Sequence, residues 1–219
     1  MIRIKDLTFT YQQDGFTLSI PSLELAKGER TAIIGPSGSG KSTFLQLLSG
    51  ILVAQKGGVW VDNININELN DKQRRSFRLS QIGFVFQNFQ LVEYLNVIDN
   101  VLNPFRINPS LKINKKDREK ANDLLRMMNL QDKTGRYPSQ LSQGEQQRVA
   151  ICRALVTKPG YILADEPTGN LDPENKERIL DLLFEVSKKE KASLITVTHD
   201  MNLVDRFDTV INFSNFLEP

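Results

Sequence analysis

Cysteine and histidine are almost missing from this 219-residue chain, which carries one of each, Cys152 and His199. A single cysteine excludes an internal disulfide framework and fits a reducing compartment. No run approaches 18 consecutive apolar residues, so no segment reads as a membrane-spanning helix. An excess of either charge is missing too. The 28 basic and 26 acidic residues leave a formal charge of +2, which supplies no basic field, and no nucleic-acid partner is expected. The opening Met1 to Tyr11 alternates polar and apolar residues and lacks the apolar block of a signal peptide. These absences predict a soluble, cytoplasmic protein of ordinary composition, 40% hydrophobic and 25% charged, with no internal repeat. The length suits one large domain, or one domain with a subdomain.

Alternation of apolar and polar residues predicts strands over Ile2 to Tyr11 and Phe16 to Leu25. Further strands are expected at Thr31–Ile34, Val59–Ile66, Ile82–Phe86, Tyr161–Ala164 and Leu194–Thr198, with a charged segment around Lys72 to Arg78. Helical spacing of Phe44, Leu45, Leu47 and Leu48 predicts a helix from Lys41 to Ser49. Lys115 to Leu130 reads as an amphipathic helix with Ala121, Leu124, Leu125 and Met128 on one face. Gln143 to Thr157 reads as a second helix, and Pro173 to Lys189 as a third, with proline at its first turn. Between Gln87 and Pro159 no strong strand pattern occurs. The reading is therefore an α/β fold: a core with a mainly parallel sheet, an N-terminal antiparallel β subdomain, and an inserted helical subdomain over 89–157 between core segments 1–88 and 158–219.

The loop Gly35-Pro36-Ser37-Gly38-Ser39-Gly40-Lys41-Ser42, followed by Thr43, fits G-x-x-x-x-G-K-[ST], the P-loop pattern, between a strand and a helix, which makes the α/β core a P-loop NTPase core. Glycines let the backbone curl so that several N–H groups face one anion, and the helix start adds its positive dipole end. Lys41 can then reach terminal phosphates and the Ser42 hydroxyl can ligate Mg²⁺. The alternative is a flexible loop that only turns the chain. The strand Tyr161 to Ala164 ends in Asp165-Glu166. Neighbours on a strand point to opposite sides, which suggests one acid beside a Mg²⁺ shell and one beside an attacking water. By themselves the two read more simply as solvated acids at a strand end.

Leu141-Ser142-Gln143-Gly144-Glu145-Gln146-Gln147-Arg148 closely resembles the LSGGQ signature of ABC transporter ATPases. The resemblance runs from Ile4 to about Asn212 and brings the family's other marks in order. Gln87 looks like the Q-loop glutamine, Asn170-Leu171-Asp172 like the D-loop, His199 like the switch histidine, and Tyr11 like the aromatic that stacks on adenine. It implies an ATPase whose nucleotide contacts are Tyr11, the loop from Gly35 to Thr43, Gln87, Ser142, Gln143, Gly144, Glu145 and Asp172. Catalysis would fall to Glu166, His199 and Lys41, and Mg²⁺ to Ser42, Gln87 and, through water, Asp165. Two copies, or one copy and a similar ATPase, would sandwich ATP. An integral membrane permease would be the partner, holding the chain at the cytoplasmic face of the membrane. The family usually has glycine where this chain has Gln143, whose Cβ would strain any left-handed backbone.

Phe84 to Gln87 and Asp165 to Asp172 look most like the exporter-related group of lipoprotein-releasing, macrolide- or peptide-exporting and cell-division ATPases. Two other readings stay open. One is an ABC-type ATPase acting on DNA or ribosomes, which would usually bring a coiled-coil insertion, a zinc site or tandem ATPase domains. The other is a switch for an assembly or signalling complex.

Overall fold

The structure, a computed structural model, describes residues 1–12, 15–108, 112–169, 171 and 173–216. Its strands are β1 (Ile2–Thr10), β2 (Thr17–Leu25), β3 (Arg30–Ile34), β4 (Lys56–Val61), β5 (Ile64–Asn65), β6 (Ile82–Val85), β7 (Tyr161–Asp165), β8 (Ser193–Val197) and β9 (Thr209–Asn212). Its helices are α1 (Lys41–Leu48), α2 (Asp71–Gln81), α3 (Val97–Ile107), α4 (Lys115–Met127), α5 (Gln143–Leu155) and α6 (Pro173–Glu190). Two sheets form. A four-stranded antiparallel sheet has the order β2-β1-β4-β5, and a five-stranded parallel sheet has the order β6-β7-β8-β3-β9.

The parallel sheet is buried on both faces, and its strand alternation divides two cores. Ile33, Tyr161, Leu163, Ile195 and Val197 pack with α1 and the antiparallel sheet. Ala32, Ile162, Ala164 and Leu194 pack with the side chains of α3 to α6. The face toward α1 is closed by Phe44, Leu45 and Phe213, all fully buried. Helix α5 lies so close to β6 that a Cβ built on Gly83 would stand 2.3 Å from the Ala154 carbonyl oxygen. A glycine is needed there for space, not for its dihedral angles.

Several expectations are corrected. Val59 to Ile66 is not one strand. It folds as a β4–β5 hairpin that turns at Asp62, whose φ is +52°. The charged segment around Lys72 to Arg78 is helix α2, started by a capping box in which Asn70 and Gln73 bond each other's backbone N–H. Helix α4 stops at Met127, and Asn129 turns left-handed at φ +53° just beyond. Strand β9 had no sequence signal. Within β1 the alternation slips near Asp6, where φ is +48° and the register to β4 shifts. Cys152 is fully buried on α5, and burial pushes its thiol pKa up.

Candidate active site

In a parallel sheet the loops that leave the C-terminal strand ends share one edge, where ligands of open α/β sheets bind. Four adjacent strands, β6, β7, β8 and β3, deliver Gln87, Asp165 with Glu166, His199, and the loop after Gly35 to that edge. Apart from Asp165, which lies beneath, these groups join Tyr11 and Phe16 from the antiparallel hairpin in lining a cleft of about 700 Å³. Its wall comprises Tyr11, Phe16, Gly35, Ser37, Gly38, Gly40, Lys41, Ser42, Thr43, Gln87, Glu166 and His199.

Helix α1 differs from α2 to α5 in how it begins. Asn70, Asn96, Asn114 and Ser142 cap α2, α3, α4 and α5 with their side chains. The N-cap of α1 is Gly40, with φ +88°, no side-chain cap and no acid in the first turn. Its first N–H groups are left for an external anion. A Cβ at Gly40 would meet the Phe16 ring at 2.9 Å, so both the dihedral and the space require glycine. The Lys41 ammonium curls back and donates to the carbonyls of Gly35 (2.9 Å) and Pro36 (2.7 Å). Burial lowers its pKa, and the carboxylates of Glu166 and Asp165 pull it back up. Ser39 is buried beneath the loop, its hydroxyl without a hydrogen-bond partner.

Asp165 ends β7, buried under the cleft and hydrogen-bonded by Ser42. Desolvation raises its pKa, the Ser42 bond opposes this, and its Oδ1 has no hydrogen-bond partner. Strand alternation is not what separates the two acids. The chain leaves β7 at Glu166, whose φ is +48° and whose N–H donates to the Val197 carbonyl at 3.0 Å. This left-handed residue costs on the order of 1–2 kcal/mol, strain of a kind that clusters at functional sites. It carries the Glu166 carboxylate into the cleft between Gln87 and His199. The Gln87 amide donates to Oε2 at 3.3 Å, and His199 Nδ1 lies 3.3 Å from Oε1.

The Tyr11 ring stands edge-on to Phe9, and its hydroxyl is 3.3 Å from Thr43 Oγ1 on α1. Phe16 was not anticipated as a site residue. A hairpin bond from Tyr11 N–H to the Phe16 carbonyl sets the two side by side, with ring centroids 6.5 Å apart. Only the hairpin register could have flagged it.

The signature residues Ser142, Gln143, Gly144 and Glu145 do not line this cleft. They form the start of α5, where Ser142 and Glu145 make a capping box and Lys133 pairs with the Glu145 carboxylate, lowering its pKa. Gln143 is the first helical residue and has no positive φ, so its side chain carries none of the strain that glycine would relieve. Ser142 and Gln143 are exposed. Asn170 and Asp172 lie outside the described residues.

The sequence profile of the ABC transporter family matches residues 18–169. A lipoprotein-releasing system ATP-binding protein, LolD, of Legionella pneumophila is 43% identical over 189 residues, which cover 86% of this chain and 82% of that protein. LolD of Pseudomonas fluorescens is 40% identical over 215 residues, covering 97% and 94%. The solved dimer of the ATP-binding cassette MJ0796, in a post-hydrolysis state bound to ADP and Pi, matches with a TM-score of 0.89 at 36% identity, over 97% of this chain and 94% of that one. MJ0796 is an ABC transporter ATP-binding protein of Methanocaldococcus jannaschii. An anion cradle at α1, a carboxylate aimed into the same cleft and this likeness over nearly the whole chain converge: the protein belongs to the ABC transporter family, as an ATP-binding subunit that hydrolyses ATP.

Proposed function

We propose that two copies of this chain, or one copy and a similar ATPase, close head to tail around two ATP molecules and drive a separate integral membrane permease at the cytoplasmic face of the membrane. The observation that carries this reading is the placement of α5. Ser142 and Gln143 at its start are exposed, Gly144 is half-buried, and all three lie outside the lining of the cleft that holds the chain's own cradle and carboxylate. An exposed helix start that carries Ser142 suits a second copy's nucleotide. The likeness to the dimeric MJ0796 cassette supports the pairing. The LolD relatives favour the exporter-related group over a switch that moves no cargo. Segments 1–88 and 158–219 would form the core and 89–157 the signature subdomain.

ATP would lie with its phosphates on the Gly35–Thr43 loop and its base against Tyr11 and Phe16. Lys41 would exchange the Gly35 and Pro36 carbonyls for terminal phosphate oxygens. Ser42, Gln87 and Asp165 offer hydroxyl, amide and carboxylate oxygens, the hard donors that Mg²⁺ takes beside phosphates and water. The buried Asp165 Oδ1, lacking a hydrogen-bond partner, fits a cation or its water. When bound, Mg²⁺ supplies neutralisation of charge on the phosphate oxygens. With the Gln87 N–H₂ directed at Glu166, the amide oxygen remains for the cation side. Glu166 would accept the proton of the attacking water, and His199 would fix that carboxylate and the γ-phosphate. Asp172 of one copy would approach the other.

Tagged chain drawn from its native membranes should retain a multi-span protein, and ATPase activity should differ with and without that protein. Recovery of only non-membrane partners would refute the transport reading and leave the switch.

A further inference from the structure

Two consecutive residues just after Gln87 hold the left-handed conformation, Phe89 with φ +54° and Gln90 with φ +52°. Neither is glycine, so each holds a backbone conformation that its Cβ disfavours. A tight turn joins them, with the Gln90 N–H directed back at the Asn88 carbonyl. What faces this turn is the guanidinium of Arg153, near the C-terminal end of α5. Its Nη2 donates to the Phe89 carbonyl and its Nη1 to the Gln90 carbonyl. No carboxylate pairs with it among the described ion pairs. Burial lowers its pKa to about 10. A desolvated cation spent on two backbone carbonyls of a strained turn fixes that turn's shape.

Helix α5 makes a second contact of the same kind. The buried Gln147 amide donates to the Pro167 carbonyl, one residue past Glu166. Ser142 caps the far end of this helix, 11 residues or about 16 Å from Arg153. One rigid rod thus touches the segment bearing Gln87, the segment bearing Glu166, and the signature start.

We propose that Arg153 is a positioning residue, which clamps the Phe89–Gln90 turn to the signature helix and thereby holds Gln87 in register with Glu166. The clamp rests on the reading of Gln87 as an active-site group. It makes movement of α5 and movement of Gln87 one event, so engagement of Ser142 by a second copy is felt inside the first copy's own cleft.

The test is a double-mutant cycle on ATP turnover by the full chain with Gln87→Ala, Arg153→Met and the pair. Removing an outer partner of a catalytic group typically costs 10–100-fold. Arg153→Met should lose about 10-fold or more in kcat with little change in the KM for ATP, and Arg153→Lys should recover part of it. Because Arg153 acts through Gln87, the pair should be no slower than Gln87→Ala alone. Losses that multiply, or parental turnover in Arg153→Met, would overturn the clamp. Parental turnover in Gln87→Ala would instead sink the role of Gln87. Amide exchange gives a readout independent of turnover. Residues 87–92 should exchange faster in Arg153→Met while β7 and α6 are unchanged, and unaltered exchange there would also overturn the clamp. If the Met variant does not fold, Arg153→Lys carries both measurements, with a smaller loss expected and an unaltered segment as the refuting result.

Discussion

Glu166 Oε1 lies 3.3 Å from Nδ1 of His199, while Oε2 of the same carboxylate accepts from Gln87. This carboxylate is thus held from both sides by groups that arrive on different strands. Glu166→Gln keeps the shape and the hydrogen-bonding oxygen but removes proton acceptance. Turnover should fall by roughly 10²–10⁴-fold with ATP affinity retained, since general-base catalysis contributes on that scale. Steady-state ATPase and nucleotide titration together check this, and a variant at the parental rate would remove Glu166 from its role.

Lys41 should show the opposite pattern. Its ammonium is held over the loop by the Gly35 and Pro36 carbonyls. A charged hydrogen bond is worth about 1.5–3 kcal/mol, so Lys41→Ala should weaken ATP binding about 10–100-fold. Titration with a fluorescent ATP analogue would read it, and undiminished affinity would contradict the cradle.

How much of this was legible in the sequence depends on where each constraint resides. The phosphate loop is written in consecutive residues, because the chemistry demands glycines, Lys41 and Ser42 in fixed order on one turn. Glu166 was reachable because it follows an apolar strand, whereas Gln87 and His199 were reachable only through the family resemblance; all three line the cleft. The conformation of Glu166 was hidden, since its positive φ is set by a hydrogen bond to Val197 on the next strand. Phe16 reaches the cleft only through the hairpin register. Helix α2 escaped notice because Phe77 is its only buried residue, and α3 because Pro104 interrupts it and the buried Asn100 bonds loop carbonyls. Strand β9 is four residues at a sheet edge, half-buried on alternate positions.

Gly83 tests the packing of α5 on the parallel sheet. Alanine there would place a methyl 2.3 Å from the Ala154 carbonyl and 2.8 Å from the Pro159 ring. Overpacking of this kind costs about 1–3 kcal/mol. Gly83→Ala should lower the urea unfolding midpoint accordingly, and an unchanged midpoint would show that α5 can shift freely.

Acid sensitivity should include the pair that ties β3 to the start of β9. Arg30 donates from its backbone N–H and its guanidinium to Asp208, holding that carboxyl at about 2. The folded value lies below the unfolded one, about 3.9, so the pair's stabilisation is present above that pH and fades as pH falls towards 2. Both side chains are more than a third exposed, so the contribution is small. Asp208→Asn should unfold at lower urea than the parent at pH about 7, with the gap closing near pH about 2.5. A gap independent of pH would point to packing instead of charge.

The most direct test of the whole account is a crystal structure of the Glu166→Gln variant grown with Mg²⁺ and ATP. Two copies should meet with Ser142 of each within hydrogen-bond distance of the terminal phosphate held on the other's Gly35–Thr43 loop. Nucleotide bound to that loop with Ser142 facing solvent in every assembly would contradict it.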